Sequence, residues 1–69
     1  MTKNEKREAI LLWIAAKLTQ LGHCERSVQW DINMLRMGDY GSGLSDAACH
    51  VVKSHEFLNL NGAYLLKEF

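Results

Sequence analysis

The sequence has no excess of charge of either sign. Its 69 residues include eight basic and eight acidic side chains, so the formal net charge is zero. Because phosphate contacts need a basic surface, this balance gives no general support for nucleic-acid binding, although a neutral chain can still carry a local basic patch. Hydrophobic residues make up 48% and charged residues 23% of the chain. This composition is typical of a globular protein and argues against disorder.

Cysteines are few, and no apolar run is long enough to cross a membrane. Secreted domains of this size usually carry several disulfides, so we expect Cys24 and Cys49 to be small buried apolar residues rather than a disulfide pair.

The apolar run Ala9–Ala16 is far shorter than the ~20 residues that span a bilayer. Acidic residues among the bases before this run, and Lys17 after it, argue against a signal peptide. The sequence therefore predicts a cytoplasmic protein.

A phosphate-binding loop is also missing. The glycine-rich stretch GDYGSG, residues 38–43, is not followed by the Lys-Ser or Lys-Thr pair that such a loop needs. No strand typical of a parallel sheet precedes it. We predict that this stretch is a turn between helices and that the protein has no nucleotide cofactor.

The sequence contains His, Cys and Asp residues that could form a metal site or a catalytic site, but their spacing does not favour either. The pairs His23-Cys24 and Cys49-His50 contain neighbours whose side chains diverge, whereas structural zinc motifs space their ligands. Asp46 lies four residues before His50, but nothing provides an oxyanion hole or a substrate cleft in so small a domain. The sequence predicts no catalytic residue, no metal site and no cofactor.

The segment Ala9–Leu21 is apolar almost all round if it is helical. Such a helix is expected to lie at the centre of the domain. Thr2 or Asn4 can act as its N-cap, and Gly22 can end it in a Schellman motif. The polar residues 1–7 are expected to fray.

The spacing of apolar residues and the capping residues predict two further helices. SVQWDINMLRM, residues 27–37, begins at the N-cap candidate Ser27 and ends at Gly38. LSDAACHVVKSH, residues 44–55, has Ser45 as its N-cap. The whole chain, residues 1–69, is predicted to form one domain.

The C-terminal part of the sequence predicts a β-hairpin. Asn61-Gly62 lies between two apolar runs, which is typical of a two-residue type I′ turn. Pairing outward from this turn places Leu58 opposite Leu65. The predicted fold class is therefore α+β, with three helices followed by a C-terminal hairpin.

This order of elements resembles the winged helix-turn-helix family. Residues 27–37 correspond to the positioning helix, residues 44–55 to the recognition helix, and FLNLNGAYLL, residues 57–66, to the wing. The resemblance implies that the third helix enters the major groove of DNA and that the wing contacts the backbone or minor groove. It also implies a small nucleic-acid-binding regulator of transcription, without enzymatic activity. The candidate DNA contacts are Arg26, Arg36, Lys53 and Asn61.

A second function remains open, namely a compact protein-binding module. Neutral charge and surplus apolar residues suit an inhibitor or adaptor of a larger protein, of the kind that a phage or mobile element encodes. An all-round apolar helix in so small a domain also predicts a homodimer. The candidate interface residues are Leu12, Trp13, Trp30, Met34 and Met37.

Overall fold

A computed structural model of the chain describes residues 2–38 and 43–60. These residues form four helices and no strand: α1 (Lys3–Gln20), α2 (Glu25–Arg36), α3 (Asp46–Val52) and α4 (His55–Asn59). The longest helix, α1, contacts both α2 and α3, as expected for a central helix. None of the helices in this part of the chain combines the length and the hydropathy that a bilayer span requires.

The predicted α+β, winged-helix-like fold is wrong. Where the first strand of the hairpin was expected, residues 55–59 form α4, and the Ser54 hydroxyl accepts the N–H of Phe57 at 3.2 Å as its N-cap. The turn Asn61-Gly62 and the predicted second strand lie outside the described residues. Phe57 is almost fully buried, and its ring stacks at 6.5 Å from that of Trp13 on α1. This tertiary contact favours the helix over an extended segment, so no wing forms from the described residues.

The N-terminus of α1 is closed by a capping box. The Thr2 hydroxyl accepts the N–H of Glu5 at 3.2 Å, and the Glu5 carboxylate accepts the N–H of Thr2 at 3.4 Å. Thr2, one of the two predicted caps, is therefore the N-cap. Helix α1 begins at Lys3, and the fraying of residues 1–7 stays a prediction.

Glycines end the first two helices as predicted. Gly22 has a φ of +92°, its N–H donates to Thr19, and the N–H of His23 donates to the carbonyl of Leu18 at 3.2 Å. These two bonds form a Schellman motif. Gly38 follows Met37, the C-cap of α2, with a φ of +85°, and its N–H donates to the carbonyl of Leu35 in the last turn.

The start of α2 differs from the prediction, whereas the start of α3 agrees with it. Helix α2 begins at Glu25 with Cys24 as N-cap, so the predicted cap Ser27 lies in its first turn. The Ser27 hydroxyl instead lies 3.4 Å from the Cys24 sulfur. Ser45 is the N-cap of α3, where its hydroxyl accepts the N–H of Ala48 at 3.2 Å.

One hydrophobic core joins the four helices. Four of its buried residues come from α1, three from α2, two from α3 and one from α4, with one more from the segment before α3. In chain order they are Ile10, Leu11, Ile14, Leu18, Val28, Ile32, Leu35, Leu44, Ala48, Val51 and Phe57. An exposed ion pair between Lys17 and Glu56, at 2.8 Å, adds a second contact between α1 and α4.

Candidate protein-interaction surface

Trp30 is exposed on α2 but is held in place. Its side chain is 57% exposed, because the helical period turns it away from the buried positions Val28, Ile32 and Leu35. The indole Nε1–H donates to the carbonyl of Gly43 at 2.9 Å. This bond fixes the ring against the segment that leads into α3, so a large apolar side chain faces solvent in an ordered position.

Two methionines extend the same face of α2. Met34 and Met37 follow Trp30 at four and seven residues, a spacing that places them on one side of a helix. Met37 is 69% exposed, whereas Met34 is half-buried against the core. Arg26 lies one turn before Trp30 and is also exposed. We call the stripe of Arg26, Trp30, Met34 and Met37 the Trp30 surface; it is about 16 Å long at the rise of an α-helix.

A depression of about 280 Å³ lies beside Trp30, between α2 and the start of α3. Its lining includes Arg26, Asp31 and Ser45. The Asp31 carboxylate already accepts two hydrogen bonds from Ser45, at 3.0 and 2.7 Å. Arg26 forms no ion pair with another residue of the ranges 2–38 and 43–60, and its guanidinium adds a positive charge to the lining of the depression.

The other two predicted interface residues lie on α1. Trp13 is half-buried, stacks on Phe57, and has the Lys17 ammonium 5.4 Å from its ring centroid. Leu12 is 72% exposed. The structure thus brings Trp30, Met34 and Met37 together but places Leu12 and Trp13 on a different helix.

The candidate DNA contacts are dispersed. Arg36 donates from Nη1 to both carboxylate oxygens of Glu8, at 2.7 Å for Oε2. Arg26 and Arg36 occupy opposite ends of α2, and Lys53 is the C-cap of α3. The fourth candidate, Asn61, lies outside the described residues.

Both cysteines are free thiols, and Cys24 is the exposed one. Its hydrogen bond with the Ser27 hydroxyl lowers the pKa of the Cys24 thiol, because a donor at the sulfur stabilises the thiolate. Within the described ranges, no three His, Cys, Asp or Glu side chains are grouped so that they could hold a metal ion.

Sequence reasoning missed the residues that hold this surface. Gly43 and the pair Asp31 and Ser45 fix the segment against which Trp30 rests. Only Ser45 carried a local signal, as an N-cap. A carbonyl acceptor and a buried carboxylate have no sequence pattern of their own.

Comparison with known proteins provides no family for the chain. No protein-family model matches it, and no curated protein or solved structure matches it significantly. What the Trp30 surface binds is therefore inferred from its own side chains.

Proposed function

We infer that this protein is a non-enzymatic protein-binding module that acts as an inhibitor or adaptor of a larger protein. The observation that carries this proposal is the exposed Trp30 ring fixed by its bond to Gly43. Tryptophan and arginine are enriched among the residues that dominate binding energy at interfaces. A ring that is already ordered loses less conformational entropy when a partner covers it.

The neighbours of Trp30 indicate the chemistry of the partner. Met34 and Met37 offer flexible apolar contacts, which adapt to the shape of an apolar partner surface. Arg26 at the end of the stripe favours a carboxylate, which the guanidinium can bind through two hydrogen bonds. The expected partner is a protein segment with an apolar face and an acidic side chain about one helical turn from its apolar anchor.

Nucleic-acid binding stays a prediction with less support. The described helices do not provide a wing, the net charge is zero, and Arg36 is engaged by Glu8. Each of these features weakens phosphate binding, which depends on available cations. We expect the protein to act in the cytoplasm, where reducing conditions keep free thiols such as Cys24 and Cys49 unpaired.

A displayed library of random peptides tests the proposal. Peptides are selected on immobilised wild-type protein and then compared on Trp30→Ala, whose folding is checked by circular dichroism. We expect selected peptides that combine apolar and acidic residues, lose binding to Trp30→Ala and bind Arg26→Glu more weakly. Leu58→Ser is the matched control, because Leu58 is 50% exposed but lies on α4. It should retain binding.

The proposal fails if no peptide distinguishes the wild type from Trp30→Ala. A mobility shift with duplex DNA at ~50 mM salt, where electrostatic binding is strong, is run in parallel. A shift that is lost in the double variant Arg36→Ala and Lys53→Ala, together with no Trp30-dependent peptide, would support DNA binding instead.

A further inference from the structure

We propose that the groove between α1 and α2 docks a second copy of this chain in an antiparallel, two-fold symmetric dimer. The groove consists of two depressions, of about 210 and 400 Å³, that share Ala15 and Gln29 in their linings. It runs from Glu8 and Arg36 at one end to Glu25 at the other. This surface lies on a different side of α2 from Trp30, so the dimer does not depend on the proposed function.

The shape of the groove is self-complementary. Leu12 lies on its rim near one end and is 72% exposed, the highest value among the large apolar side chains of the described residues. One turn further along α1, Ala15 and Ala16 line the groove with small side chains and leave space above Val28. In a two-fold interface the same patch serves both copies. Leu12 of each copy then fills the space above Ala16 of the other.

The proposed two-fold axis lies in the interface and runs across α1 and α2, and this direction determines which helix ends of the two copies meet. It places α1 against α1 and α2 against α2, with each helix antiparallel to its counterpart. Since Leu12 and Ala16 lie two residues to either side of Ile14 on α1, an axis at the level of Ile14 exchanges their positions. The same rotation exchanges the two ends of the groove.

The charges at the groove ends fit this arrangement. Glu25 begins α2 and Arg36 ends it, about 16 Å apart at the rise of an α-helix. In the antiparallel dimer, Arg36 of one copy lies next to Glu25 of the second copy. The two-fold symmetry produces this contact twice, once at each end of the interface. Arg36 already donates to Glu8, but a guanidinium has five N–H donors and can also donate to a second carboxylate. An unrelated apolar helix could cover Leu12, but only a second copy is certain to carry the opposite charge at each end of the groove.

Sedimentation of the full chain at high micromolar concentration tests the proposal. The wild type is expected to sediment as two chains, and Leu12→Glu as one chain of 7.9 kDa. Met37→Glu is the matched control, because Met37 is 69% exposed but lies on the Trp30 surface. It should remain a dimer. A monomeric wild type, or a dimer lost in Met37→Glu and kept in Leu12→Glu, overturns the proposal.

A charge exchange tests the antiparallel arrangement. Glu25→Arg alone sets two arginines against each other in both contacts, and Arg36→Glu alone sets two glutamates against each other. The dimer of each variant should therefore be weaker and should dissociate at a higher protein concentration than the wild-type dimer. When the two variants are mixed, both contacts become attractive, so a heterodimer should form from chains that associate poorly alone. No gain on mixing overturns the proposed arrangement.

These results are distinguishable from failure of the proposed function. Leu12→Glu should become monomeric and still bind the peptides that are selected on the Trp30 surface. Trp30→Ala should lose those peptides and still sediment as a dimer. Circular dichroism of each variant confirms that the helices are retained, as expected because both side chains are largely exposed.

Discussion

The carboxylate of Asp31 accepts two hydrogen bonds from Ser45, one from its backbone N–H at 3.0 Å and one from its hydroxyl at 2.7 Å. Asp31 is completely buried, and the same hydroxyl accepts the N–H of Ala48 at the start of α3. The neighbouring residue on α2, Trp30, donates to Gly43 two residues earlier in the same segment. Two adjacent residues of α2 thus hold the approach to α3 and set the position of the candidate surface.

Removal of the Asp31 carboxylate should destabilise the protein. Asp31→Ala leaves the Ser45 N–H without its partner, and hydrogen bonds to charged groups contribute about 1.5–3 kcal/mol each. We expect a loss of roughly 2–3 kcal/mol in urea unfolding, with a smaller loss for Asp31→Asn, which keeps an acceptor. The double variant with Ser45→Ala should cost less than the sum of the single variants, since both remove the same contact. Additive costs would show that the pair is not coupled.

Gly22→Ala should cost about 1–2 kcal/mol through backbone strain alone. Gly22 has a φ of +92°, which residues with a Cβ rarely adopt, whereas an added Cβ would meet no atom within 4 Å. Gly22→Asn should cost less, because asparagine tolerates this conformation better. Thermal unfolding measures both variants. A neutral or stabilising Gly22→Ala would contradict the Schellman motif at the end of α1.

Helix α4 can be tested with two neighbouring residues. Phe57 is 2% exposed and stacks on Trp13, whereas Leu58 is 50% exposed. Phe57→Ala should therefore cost about 3–5 kcal/mol, enough to unfold most of so small a domain. Leu58→Ala should change the free energy of unfolding by less than about 1 kcal/mol. The reverse order of the two effects would contradict the orientation of α4, which buries Phe57 against Trp13 and leaves Leu58 exposed.

The Cys24 thiol should react at lower pH than an ordinary cysteine. Its hydrogen bond with Ser27 lowers its pKa, so the thiolate forms earlier as the pH rises. The rate of alkylation by iodoacetamide against pH is the measurement, made in a Cys49→Ser background. Ser27→Ala should shift this profile to higher pH, because it removes the largest cause of the lowered pKa. An unchanged profile would contradict the role of the hydroxyl.

Local signals predicted three helix ends correctly, whereas Ser27 was wrong as the N-cap of α2. Gly22, Gly38 and Ser45 act within one or two turns of the chain, so their positions in the sequence are sufficient to define a cap. The central position of α1 was also predictable, since a helix that is apolar on all sides must be covered on several of them.

The prediction of a C-terminal hairpin failed because a short apolar run fits both the two-residue repeat of a strand and the 3.6-residue repeat of a helix. Residues 57–60 can be interpreted as a strand before Asn61-Gly62, yet Ser54 with Glu56 two residues later is an equally local helix start. The contact between Phe57 and Trp13 decides between them, and residues so far apart in sequence give no pattern. For the same reason the bond from Trp30 to Gly43 could not be predicted, because the two residues are 13 positions apart in the sequence.

The indole N–H signals in a two-dimensional NMR spectrum test the proposed binding surface most directly. The chain has two tryptophans, so the spectrum contains one indole signal from Trp30 and one from Trp13, which single substitutions assign. On titration with a peptide selected on the wild type, the Trp30 signal should shift progressively while the Trp13 signal stays in place. A shift of Trp13 with Trp30 unchanged would contradict the assignment of the binding site to the Trp30 surface.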